Sequence, residues 1–86
     1  MNRRQLSDKI DAIHAKFEGS RIDIGRLLED ELFALLAWEL WKDGRDWDDD
    51  LEKLAGGVPD TQFRGRPDCI NFLVTVFGYG VKGDLK

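Results

Sequence analysis

Between Glu39 and Glu52 the chain places seven acidic residues against two basic ones, with Trp41 and Trp47 set among them. Carboxylates at this density can hold a cation, stand in for phosphates before a basic protein, or simply form a solvated face. Indoles surrounded by charge are typical of protein–protein contact centres and their rims. The candidate partner-binding residues are therefore Trp41, Asp46, Trp47, Asp48, Asp49, Asp50 and Glu52. A calcium loop does not fit. Counted from Asp46, the glycine needed at position six is Leu51 and the glutamate needed at position twelve is Gly57. A helix start competes as the explanation, because first-turn carboxylates complement the helix dipole by ~0.3–1 kcal/mol each. That accounts for one or two of the acids and leaves the others to a charged face or a partner.

Glu31 and Glu39 lie about 80° apart on a helical wheel, on either side of Leu35. Turned together into a core, they would offer acid–base chemistry or metal ligands. The Glu-x-x-His pairs of helical-bundle metal centres are missing, since neither glutamate has a histidine three residues on. The favoured reading is that both reach solvent or pair with Arg26, Lys42 or a cation of the first helix. His14, the one histidine, sits at the edge of an apolar stripe and reads as a packing or surface residue. Cys69 has no second cysteine and no nearby base, so it reads as a small buried apolar residue. Arg64 and Arg66 flank Gly65 and are a secondary candidate. They either grip an anion or carboxylate partner, or belong to a soluble loop that answers the acids.

Four helices would position these groups. Leu6, Ile10, Ile13 and Phe17 recur at helical spacing, with Asn2 and Gln5 in a capping-box pattern and Gly19 as the stop, giving a helix over about 3–18. Ser20 and Asp23 form a second such pattern, which predicts a helix from about 21 to 42, weakened at Gly25. This helix is the centre of the chain. Its run Leu32–Trp38 is the longest apolar stretch, and its apolar residues spread around the whole circumference, so its own domain or a partner must cover it. Asp43-Gly44 ends it. A short third helix opens with Asp46 as N-cap and Asp49 at N3, carries Trp47, Leu51 and Leu54 on one stripe, and stops at Gly56-Gly57. Over 67–77, Ile, Val, Thr and Phe favour a strand, yet Pro67 suits a first helical turn. Ile70, Leu73, Val74 and Phe77 share a face opposite Asn71 and Thr75. The expectation is a buried fourth helix, with an α+β alternative carrying a small hairpin at 61–77. After Phe77 the glycine-rich tail is flexible by composition, with Tyr79 and Val81 able to dock onto the core or another chain.

The fold class expected is thus all-α, a single four-helix domain over 1–86. Length and composition agree: 86 residues, 42% hydrophobic and 35% charged, suffice for one small core. A net charge of −4 argues against direct nucleic-acid binding. The longest apolar run is far short of the ~20 residues that span a bilayer, so no membrane role is expected. The N-terminus has no apolar segment of a signal peptide, and one cysteine precludes an internal disulfide, so a cytoplasmic location is expected. No phosphate-binding glycine loop, Cys/His metal spacing, nucleophile elbow or histidine-anchored triad is present, so no enzyme activity and no cofactor are expected.

The composition points to a small acidic protein-binding module acting on a larger basic protein that handles nucleic acid. A phage-encoded anti-defence inhibitor and a toxin immunity protein are two settings for such a module. The alternative is a structural or assembly protein whose central helix builds a homodimer. The tryptophans discriminate: exposure in one chain favours the inhibitor, burial across a two-fold axis the homodimer.

Overall fold

The computed structural model describes residues 1–81. Four helices are present: α1 (Arg3–Lys16), α2 (Glu29–Lys42), α3 (Asp49–Ala55) and α4 (Arg66–Phe77). Among the described residues there is no strand, only an isolated bridge between Asp23 and Gly80. α2 runs through the middle and packs against each of the other three helices. Leu32, Phe33, Ala34, Leu35, Leu36 and Ala37 are all fully buried, so this part of α2 is covered on all sides within one chain, whereas Trp38, Leu40 and Trp41 nearer its end are half-buried.

α1 starts as its sequence indicates. The Asn2 side chain accepts from the Gln5 N–H at 2.9 Å, and the Gln5 side chain accepts from the Asn2 N–H at 2.9 Å. Leu6, Ile10 and Ile13 are buried against α2, with Phe17 half-buried at the end of the stripe.

The start of α2 differs from expectation by eight residues. Ser20 and Asp23 do not open a long helix; Asp23 caps a single 3-10 turn at Ile24–Arg26 by accepting from the Gly25 N–H. The reason lies in burial. Ile22, Ile24 and Leu27 all enter the core, but on a helix residues two apart diverge by about 200°. A helix buries both only where it is covered all round, as α2 is from Leu32 to Ala37; here an irregular, partly extended strap does so instead. α2 begins where a local side-chain contact satisfies its first residues. Glu31 reaches back to accept from the Leu28 N–H at 2.8 Å, with Glu29 and Asp30 beside it in the first turn.

α3 also starts later than its acids indicate. Asp48, not Asp46, is the N-cap, its carboxylate accepting from the Leu51 N–H at 2.8 Å. Trp47 therefore lies before the helix rather than on its buried stripe with Leu51 and Leu54.

Residues 66–77 are helical, not a hairpin. Asp60 accepts from the N–H groups of Gln62 and Phe63, folding 60–63 into a turn with no strand to pair. This turn buries Phe63 against Phe72 of α4, ring centroids 5.0 Å apart. Pro67 occupies the first turn. The buried face is rotated from the expected one. Cys69 and Leu73 are fully buried, Ile70, Phe72 and Phe77 half-buried, and Val74 and Val76 are exposed.

Gly78 closes α4 in the left-handed conformation, φ 73°, a conformation that glycine adopts without the Cβ penalty of other residues. The following residues are held rather than loose. The Tyr79 N–H donates to Leu73 O, the Ile24 N–H donates to Gly80 O, and Val81 is half-buried. The rest of the glycine-rich tail expected to be flexible lies outside the described residues.

Candidate functional site

The packing of α2 against α3 gathers the three tryptophans. Trp38 and Trp41 lie one turn apart on α2, with ring centroids 5.7 Å apart and planes tilted by 60°. Trp47, turned back from the loop before α3, meets Trp41 edge-on at 5.8 Å and 74°. Each is half-buried. They form one row, with Trp41 in the middle. Such edge-to-face pairs contribute ~0.5–1.5 kcal/mol beyond area burial. Cations stand over two of the rings: the Arg3 guanidinium lies 5.9 Å from the Trp41 ring and the Lys42 ammonium 5.5 Å from that of Trp38. Among the described residues no cation stands over Trp47.

The acids of this region divide by role. Asp48 is the cap of α3 and has the Arg45 guanidinium 4.0 Å away, a contact too long and exposed to count for much. Asp46, Asp49 and Asp50 are exposed, and no side-chain partner is found for them among the described residues. Glu52 is half-buried on α3. Dipole compensation thus accounts for Asp49 and Asp50 in the first turn and capping for Asp48, while the Asp46 carboxylate has no partner among the described residues. Trp41, Asp46, Trp47 and Asp48–Asp50 belong to one continuous stretch, and the tryptophan row ties its two helices together.

Glu31 and Glu39 serve separate partners. Lys16 of α1 holds both oxygens of Glu31, at 2.9 and 3.0 Å, while the same carboxylate caps Leu28. Glu39 accepts from the Tyr79 hydroxyl at 2.5 Å. The first contact is the expected pairing with a first-helix cation; the second uses a partner that helical periodicity alone does not reveal. Burial, reinforced by the bond to Glu39, pushes the Tyr79 phenol well above its ordinary range. His14 is exposed beside Ser20, Arg21, Glu39 and Tyr79 around a cleft of about 290 Å³. Cys69 is fully buried, and burial pushes its thiol up to about 12. Among the described residues no group of three or more His, Cys, Asp or Glu side chains is placed to hold a metal ion.

The two arginines around Gly65 part ways. Arg66 turns inward, its Nη1 donating to Leu27 O and its Nη2 to Gly25 O at 2.6 Å. It thereby ties the start of α4 to the strap before α2. Arg64 is exposed, its backbone N–H donating to Asp68 at 2.9 Å. Of the secondary candidate pair, only Arg64 keeps its side chain outward.

One feature was not anticipated from sequence. A groove of about 770 Å³ lies between α4 and the returning tail, with Ile70, Val74, Tyr79, Val81 and Arg66 among its lining residues. Its sequence signal is the pair Ile70 and Val74, one turn apart, which is as consistent with a buried face as with an open one. No helix among the described residues is long and apolar enough to cross a membrane.

No family model matches the chain, and neither the curated proteins nor the solved structures contain a significant match to it.

Proposed function

We propose that this chain is a small acidic protein-binding module that masks a basic surface of a larger, nucleic-acid-handling protein. One observation carries the reading: Trp47, at the end of the row Trp38–Trp41–Trp47, belongs to the same stretch of chain as the exposed carboxylates Asp46, Asp49 and Asp50, which no described cation neutralises. Aromatic area supplies the desolvated centre of a contact, and unpaired acids supply attraction and orientation toward a basic surface. Inhibition follows from occupancy: a surface that binds phosphates is closed while carboxylates stand on it. A phage-encoded anti-defence inhibitor or a toxin immunity protein would act in this way, in the cytoplasm where such targets work. The alternative is a homodimer built on α2, for which the half-buried Trp38, Leu40 and Trp41 offer apolar surface, although Leu32 to Ala37 are buried within one chain.

The test is comparative capture from an extract of the native host, with wild type and an Asp46→Lys/Asp50→Lys variant as baits. Asp48 is left intact because it caps α3. Basic, nucleic-acid-handling proteins held by wild type, released by salt and lost by the variant support the proposal. Equal retention on both baits rejects it.

A further inference from the structure

The tryptophan row has a chemistry more specific than apolar contact, and this inference rests on the protein-binding reading above. Two of its three rings already have a cation of this chain above them, Arg3 over Trp41 and Lys42 over Trp38. Arg3 stands at 5.9 Å, the outer edge of the range in which a cation is attracted by a ring face, and is itself exposed. An exposed cation over a ring gains little from it. Trp47 has no cation over it among the described residues, and its sequence neighbours on both sides are the exposed carboxylates Asp46 and Asp48. A planar guanidinium suits such a place better than an ammonium. It can lie flat on an indole while its edge N–H groups donate to a carboxylate, which a strongly hydrated point charge cannot do.

We propose that the row reads arginine. Guanidinium groups of the basic partner stack on the Trp47 and Trp41 indoles, with Asp46 and Asp48 accepting from their edges. In the free protein Arg3 holds the Trp41 seat and gives it up on binding. Arg3 is thus an internal competitor, and its removal strengthens association although it removes no contact with the partner.

The experiment measures the affinity of the purified chain for an oligoarginine and an oligolysine peptide of equal length at low salt, read by tryptophan emission. Wild type is compared with Arg3→Ala and with Arg4→Ala, which removes the same charge from an exposed neighbour with no ring beneath it. The expected results are tighter binding of oligoarginine, a change in emission, and a further gain of about two- to fivefold for Arg3→Ala beyond that for Arg4→Ala. Equal affinity for both peptides, or equal gains from the two alanine variants, overturns the inference. If that equal binding is still lost on Asp46→Lys/Asp50→Lys, the acidic-module reading stands while arginine reading fails. Failure of both peptides to bind wild type overturns the two together.

Discussion

The Tyr79 hydroxyl donates to the Glu39 carboxylate across 2.5 Å, joining residues forty positions apart in sequence. This bond fastens the segment after α4 to the flank of the central helix. It also takes Glu39 out of the acidic run in which its sequence position places it. Tyr79→Phe keeps the ring and deletes the bond, leaving the carboxylate without its donor. We expect a stability loss of ~1.5–3 kcal/mol, the range for hydrogen bonds to charged groups, measured by urea denaturation. An unchanged midpoint would mean that the tail is not held by this contact.

The same residue predicts an alkaline limb in the stability profile. The Tyr79 phenol is raised above its ordinary value of 10.0, and the Cys69 thiol is raised from 9.0 to about 12. The unfolded chain therefore loses these protons first as pH rises. The stability the two groups contribute is complete below about pH 9, and falls as pH climbs through 9 to 12 for Cys69 and above 10 for Tyr79. Denaturation midpoints collected across that window should decline, and less steeply for Tyr79→Phe than for wild type above pH 10. Parallel declines would contradict the assignment to Tyr79.

Capping at Asp48 is open to a simple contrast. Asp48→Ala removes the acceptor of the Leu51 N–H and should cost ~0.5–2 kcal/mol. Asp46→Ala, two residues before the cap, should change a thermal melt little. The opposite ranking would restore Asp46 as the helix start.

How far the fold is legible in sequence is clearest at the helix ends. Asn2 and Gln5 specify the start of α1 because the groups they satisfy are local, one turn apart. Ser20 and Asp23 present the same spacing but do not start an α-helix: Asp23 caps a single 3-10 turn, and Ile22 and Ile24 enter the core from an irregular strap. Asp46 and Asp48 are chemically equivalent as caps; the choice between them is made by Trp47, which leaves the helix to meet Trp41. The fate of Arg66 was hidden for the same kind of reason. Its acceptors, Leu27 O and Gly25 O, exist as open carbonyls only because the strap is not helical. The acidic and aromatic character of the candidate surface was legible from composition, whereas the row geometry and the cation seats required the packing of α2 on α3.

Arg66 supplies a further expected outcome. Its guanidinium bridges two carbonyls of the strap, which an ammonium cannot span with the same fork. Arg66→Ala should destabilise by ~1.5–3 kcal/mol, and Arg66→Lys should recover less than half of that loss in calorimetry. Full recovery by lysine would show that charge alone matters there.

Leu35 tests the central position of α2. It is fully buried in the middle of the helix, and Leu35→Ala should cost ~2–5 kcal/mol through lost transfer energy and the cavity left behind. A melt indistinguishable from wild type would remove α2 from the core.

The most direct test of the account is the affinity of a captured partner for wild type and for Asp46→Lys/Asp50→Lys, measured as ionic strength rises from about 0.01 to 0.15 M. Over that range the Debye length shortens from about 30 to about 8 Å. The account predicts that wild-type binding weakens steeply with salt and that the charge-reversed protein, still folded, fails to bind at low salt. Binding by the reversed protein as tight as that of wild type at low salt, with the same salt slope, would contradict it.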